Sequence, residues 1–138
     1  MYTNAWSIRN KINELHCILI SKNVDILAIS ETHLKIGHKD LVGEYDIPGY
    51  KFFHKDRKGD RKGGGVAIWV KNHLNSEQIN INQNYNNLES DILTVNITGK
   101  NNKLKFTTLY RPPKQNLVED ENMYSALNYL FSNNNRIH

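Results

Sequence analysis

The chain has 138 residues, a length that suits one domain with a real core. Its net charge of +4 and pI near 9.1 are compatible with a polyanionic partner without requiring one. A single cysteine, Cys17, excludes a disulfide within the chain, and no disulfide-linked partner is expected; the apolar runs are too short to span a membrane.

Met1 to Thr3 reads as the stub of a strand. Ser7 fits a helix N-cap, and Ile8, Ile12, Leu15 and Leu19 follow the rhythm of one helical face. Asn23 is a plausible stop. The nearly continuous apolar run Val24–Ser30 suits a strand covered on both faces. Glu31 to Tyr50 reads as loop with a Pro48-Gly49 turn, and Tyr50–His54 as an aromatic strand. The basic, glycine-rich segment Lys55–Gly65 follows and reads as mobile; Val66–Val70 is a second buried strand. Glu77–Asn82 alternates weakly, and Asn84–Asn87 is a loop. Asp91–Thr98 and Leu104–Tyr110 form a hairpin about Gly99–Asn102, ended by Arg111-Pro112-Pro113. A last helix is expected from about Glu119 to Phe131, and Arg136–His138 reads as the approach to another strand. The order is α+β with a mixed sheet, not a regular βαβ array.

Several residues suit phosphate or metal chemistry. Glu31 directly follows a buried strand, where a carboxylate can face a cleft and hold a hard cation, or can simply face solvent. Thr32 beside it is placed to hydrogen-bond that carboxylate. Asn4, past the first strand stub, is either a turn residue or a ligand for metal-bound water or phosphate. Tyr110 beside Arg111 pairs a phenol with a guanidinium, as a phosphate contact or as a strand-end aromatic with a surface Arg. Lys55, Arg57, Lys58, Arg61 and Lys62 can neutralise a nucleic-acid backbone or form a solvated hairpin loop. The glycines are not a P-loop, because no Gly-Lys-Ser/Thr follows and the next element is a strand. His33 and His38 do not make a zinc pattern, and no nucleophile elbow occurs.

Taken in order, these segments resemble the endonuclease domain of LINE-type retrotransposons, within the endonuclease/exonuclease/phosphatase family. Asn4-Ala5-Trp6-Ser7-Ile8-Arg9-Asn10-Lys11 is similar to its Asn-Ala-Arg-Ser-Leu-x-x-Lys opening, with Trp6 where Arg is usual. Ile26–Leu34 resembles its strand followed by Glu-Thr-x-Leu. Asp56-Arg57 with Gly63–Ile68 resembles its Asp-Arg…Gly-Gly-Gly-Val-Ala strand, and Leu109–Pro113 its Tyr-Arg-Pro-Pro turn.

The resemblance implies a four-layered, DNase I-like α/β sandwich of two packed mixed sheets, of which this chain is the N-terminal half. It implies Mg2+- (or Mn2+-) dependent nicking of target DNA, a downstream reverse transcriptase, and action in the nucleus. Glu31 would be the metal-binding carboxylate, Asn4 would help hold metal or phosphate, Tyr110 would contact the scissile phosphate, and Arg111 the backbone. The family's Gly-Asp-x-Asn and Ser-Asp-His motifs do not occur in these residues. A domain truncated before them is expected to be inactive alone and, with open sheet edges, prone to aggregate. The alternatives are a non-catalytic remnant that binds nucleic acid weakly, or another phosphoesterase of the same fold.

Overall fold

The computed structural model describes residues 1–37, 40–41, 43–81, 83–85 and 87–132. His38, Asn82, Asn86 and the expected strand approach at 136–138 lie outside them.

The apolar segments form two sheets. The first has the order β1 (Tyr2–Asn4), β2 (Ile26–Ser30), β4 (Val66–Lys71), β3 (Tyr50–Lys55). It is mixed: β1 runs parallel to β2, while β2 and β3 run antiparallel to β4. The second is antiparallel, ordered β5 (Asn75–Ile79), β6 (Asp91–Thr98), β7 (Lys103–Tyr110). Helix α1 (Ile12–Ser21) and helix α2 (Leu117–Ser132) complete the α+β set, with one 3-10 turn at Gln83–Tyr85.

Strand periodicity sorts the apolar side chains into three cores. Leu27 and Ile29 of β2 and Ala67 and Trp69 of β4 pack with Leu15 and Leu19 of α1. The alternate residues Ala28, Val66, Ile68 and Val70 meet Leu93, Val95 and Ile97 of β6 between the sheets. On the far side, Ile92 packs with Met123, Ala126 and Leu130 of α2. The layers are therefore helix, sheet, sheet, helix, as the resemblance implied. The continuous apolar runs of β2 and β4 exist because both their faces are covered.

Two helix boundaries differ from the sequence reading. Ser7 is not an N-cap; α1 starts at Ile12, and Lys11 caps it without a side-chain bond. The intervening chain is committed elsewhere. Ala5 N–H donates to Ser30 O at 3.2 Å, Ser7 N–H to Glu31 O at 2.7 Å and Ile8 N–H to Thr32 O at 3.1 Å. Ile8 is fully buried, but in this irregular segment bonded to Glu31 and Thr32 rather than in the helix. At α2, the start moves back to Leu117 because Asn116 caps it. Asn116 Oδ1 accepts from Glu119 N–H and Glu119 Oε2 from Asn116 N–H, each at 2.9 Å, a reciprocal capping box.

Candidate active site

Register puts the singled-out residues on one rim. In the first sheet Asn4 pairs with Ser30, Ser30 with Val66 and Val66 with Lys55. In the second, Asp91 pairs with Tyr110. Glu31 and Gly63–Gly65 are the connections immediately beyond those strand ends.

Glu31 has φ +58 and His33 φ +59, the left-handed region that residues other than glycine occupy at a cost. The turn is held there from both sides. Ser7 and Ile8 bond one side, while Thr32 N–H donates to Gly65 O at 3.1 Å and His33 N–H to Gly64 O at 2.9 Å on the other. Glu31 Oε2 is shielded from solvent and has no hydrogen-bond partner among the described residues. His33 Nε2 lies 3.8 Å from it, too long for a hydrogen bond. Burial, then the neighbouring Arg57, lowers the His33 pKa and favours the neutral ring. Thr32 does not bond the Glu31 carboxylate as expected. Its Oγ1 accepts from Leu34 N–H at 3.4 Å and abuts Gly65.

Asn4 takes the turn role. Its Oδ1 accepts from Trp6 N–H at 3.1 Å on an exposed residue, and an amide NH2 is a donor pair of the kind that suits a phosphate oxygen. Trp6 itself is 73 % exposed, with φ +44.

Tyr110 ends β7 with its ring in the core between the sheets. Burial, and then the charge of Glu31, raise its pKa, so the phenol stays protonated and able to donate. Its hydroxyl sits 2.6 Å from where a Cβ on Gly63 would stand. Gly64 is pressed in the same way by Arg61 and Asp91, and Gly65 by Thr32. The three glycines are thus a close-packed floor linking Tyr110 to the Glu31 turn.

The basic loop is tied down rather than solvated. Arg57 Nη1 donates to Lys62 O at 2.9 Å, and its backbone N–H to Leu34 O at 3.2 Å. Lys58 Nζ donates to Leu88 O, and Arg61 to Glu89 O. Arg61 also pairs with Asp91 and lies over the Tyr110 ring at 5.5 Å. Lys55 ends β3 half-buried, and burial, then the charge of Lys58, lowers its pKa. Of the five, only Lys62 is exposed; the others are half-buried. Arg111 turns away to Asp120, which it holds through two bonds of 2.7 Å.

Sequence reasoning missed Asp91 and the buttress at Asp56. Asp56 Oδ2 accepts from Ile36 N–H at 2.8 Å and its Oδ1 bonds His54 Nδ1 at 2.7 Å, bracing the loop that carries Glu31. For Asp91 the signal was present: a carboxylate in phase with Leu93, Val95 and Ile97, on the apolar face of its strand.

Among the described residues no group of three or more His, Cys, Asp or Glu is gathered to cage a metal. The rim nonetheless fits a hard, largely hydrated cation, which is commonly bound through one or two carboxylates. Glu31 Oε2 is an oxygen donor with no partner among the described residues.

Two face-packed sheets between two helices, with a carboxylate, an amide and a phenol on one rim, define a DNase I-like α/β sandwich. The chain belongs to the endonuclease/exonuclease/phosphatase family, which it matches over residues 1–133. It is 24% identical over 131 residues to an RNA-directed DNA polymerase from the mobile element jockey of Drosophila melanogaster, covering 93% of this chain and 13% of that protein. Among solved structures it resembles the endonuclease domain of TRAS1, a telomere-specific non-LTR retrotransposon: TM-score 0.61, 19% identity, 90% of this chain and 51% of the other. An AP endonuclease from Leishmania major aligns with a TM-score of 0.70 at 14% identity, covering 93% and 47%. The chain spans about half of those structures and a small part of the jockey protein.

Proposed function

We propose that this chain forms the metal-holding wall of a divalent-cation-dependent DNA endonuclease, joined in its parent protein to a reverse transcriptase and acting on chromosomal DNA in the nucleus. The observation that carries the reading is Glu31 Oε2, shielded and without a partner among the described residues, on a left-handed residue with the protonated Tyr110 phenol in its field. Glu31 would hold Mg2+ or Mn2+. When bound, the cation supplies Lewis-acid stabilisation of charge on the phosphate and leaving oxygen. Tyr110 and the Asn4 amide donate to phosphate oxygens as charge develops there. Lys62 and Lys55 neutralise the flanking backbone.

No residue of this chain is assigned to activating water, because Gly-Asp-x-Asn and Ser-Asp-His are absent from its 138 residues. The isolated chain should therefore bind the cation and nick supercoiled plasmid very slowly. Calorimetric titration with Mn2+ tests the first part: binding to the wild type and its loss in Glu31→Gln are expected. A wild type that takes up no Mn2+ at millimolar concentration would overturn the assignment of Glu31. Rapid nicking by the isolated chain would overturn the need for further catalytic groups. The reading as a non-catalytic nucleic-acid-binding remnant rested on the basic loop. Three of its five cations donate to carbonyls of the chain itself, which weakens that reading.

A further inference from the structure

Trp6 is the feature that the proposed chemistry leaves unused. A single exposed apolar side chain is ordinary on a folded surface, so what sets Trp6 apart is how it is held. Trp6 is 73 % exposed, whereas the other tryptophan, Trp69, is fully buried. It is also held. Its φ of +44 is a strained setting for a bulky residue, fixed by its own N–H on Asn4 Oδ1 and by the next N–H on Glu31 O. The indole meets the His33 ring edge-on, with centroids 5.5 Å apart, and His33 Nε2 is 3.8 Å from Glu31 Oε2. One imidazole therefore separates a solvent-facing indole from the carboxylate assigned to the cation.

We propose that Trp6 is a stacking platform for an unpaired nucleobase of DNA next to the phosphate at the Glu31 rim. This rests on the reading of the rim as a DNA-cleaving site. The chemistry follows from the side chain. An indole offers no charge to a phosphate, but its π-face accepts any base that has left its stack. The family motif similar to this segment has Arg at that position, which would instead take a phosphate. Trp6 exchanges a salt-sensitive contact for a salt-insensitive one. Tyr2, also exposed, is less suited, because its hydroxyl is bound to Ser30 Oγ at 2.7 Å.

The two tryptophans make the test direct. The full chain is titrated in EDTA with a fluorescent oligothymidylate, and separately with a blunt duplex of equal length. Anisotropy reports binding, while intrinsic emission and acrylamide quenching report the indoles. The single strand should quench and shield Trp6 more than the duplex does. Trp6→Ala should weaken single-strand binding about tenfold with little change in salt dependence. Trp6→Phe should bind within about twofold of the wild type, and its remaining, buried Trp69 should stay shielded from acrylamide, which shows that the variant is folded. Trp6→Arg should steepen the dependence of affinity on salt by about one ion. Binding with no change in Trp6 emission, or equal affinity for Trp6→Ala, overturns the stacking role alone. Absence of any DNA binding by the wild type overturns the endonuclease reading and the platform with it.

Discussion

Arg61 Nη2 and Asp91 Oδ2 are 2.6 Å apart, and Asp91 is completely buried. The same oxygen accepts the backbone N–H of Gly65 at 2.8 Å, so one carboxylate ties the second sheet to the glycine floor beside Glu31. The guanidinium in turn lies over the Tyr110 ring. One charge pair with a fully buried carboxylate thus touches both the glycine floor and the phenol.

Removing Asp91 leaves the partly buried Arg61 guanidinium without its carboxylate and the buried Gly65 N–H without its acceptor, which together cost ~3 kcal/mol. Asp91→Ala should lower the melting temperature by about 10 °C or more. Asp91→Asn, which can still accept the Gly65 N–H, should lose less. A thermal melt of Asp91→Ala within about 2 °C of the wild type would show that the pair contributes no net stability.

Gly63 poses a separate question, because its φ lies outside the left-handed region and only space is at issue. A Cβ there would stand 2.6 Å from the Tyr110 hydroxyl and 3.3 Å from Cζ. Gly63→Ala must push the phenol off its seat. The buried, raised tyrosine should then titrate closer to its ordinary value of 10.0, which NMR of ring-labelled tyrosine can follow. An unchanged Tyr110 titration in a folded Gly63→Ala would mean that the floor yields and the phenol does not.

Much of this was legible in the sequence, for physical reasons that differ by element. Strands β2 and β4 announced themselves because both faces are buried and nearly every residue is apolar. The β6–β7 hairpin was marked by its turn and by Pro112-Pro113. The rim positions of Asn4, Glu31 and Tyr110 follow from their places just at or beyond strand ends. What stayed hidden depends on contacts between segments distant in sequence. Nothing local says that Ser7 and Ile8 will ladder onto Glu31 and Thr32 instead of starting a helix. Nor does the basic run reveal that Lys58 and Arg61 reach the carbonyls of Leu88 and Glu89. A charge run reads as solvated until the partner strand is known.

Asp40 gives the fold an acid sensitivity. It accepts from Arg9 Nη2 and Lys35 N–H, each at 2.9 Å, and from the Tyr45 hydroxyl at 3.3 Å. Burial opposes its ionisation, but these donors prevail and hold its carboxyl below the ordinary value of 3.8. In return Tyr45 is pushed up to about 12, by burial first and then by Asp40. A carboxylate with a depressed folded pKa contributes stability that is full above its unfolded value and is lost as pH falls through the folded one. Stability should therefore decline below about pH 4. Asp40→Asn should be less stable than the wild type at pH 7, and the gap should narrow towards pH 3. Denaturant titrations at the two pH values check this; a gap that is constant with pH would remove Asp40 as its source.

Arg111 and Lys62 separate structure from DNA contact. The Tyr-Arg-Pro-Pro resemblance made Arg111 a backbone contact, yet both its terminal donors and its Nε are engaged with Asp120, Gln115 and Pro112. Lys62 has its side chain in solvent on the loop above the glycine floor. Each cation that neutralises a phosphate adds about 0.9 to the slope of log affinity against log salt on duplex DNA. Lys62→Ala should reduce that slope by about one, while Arg111→Ala should leave it unchanged. Asp120→Asn is the informative third variant. By releasing the Arg111 guanidinium it should steepen the slope, because a cation now tied to helix α2 becomes available to the backbone. A slope that falls for Arg111→Ala as much as for Lys62→Ala would mean that the Asp120 pair opens whenever DNA arrives.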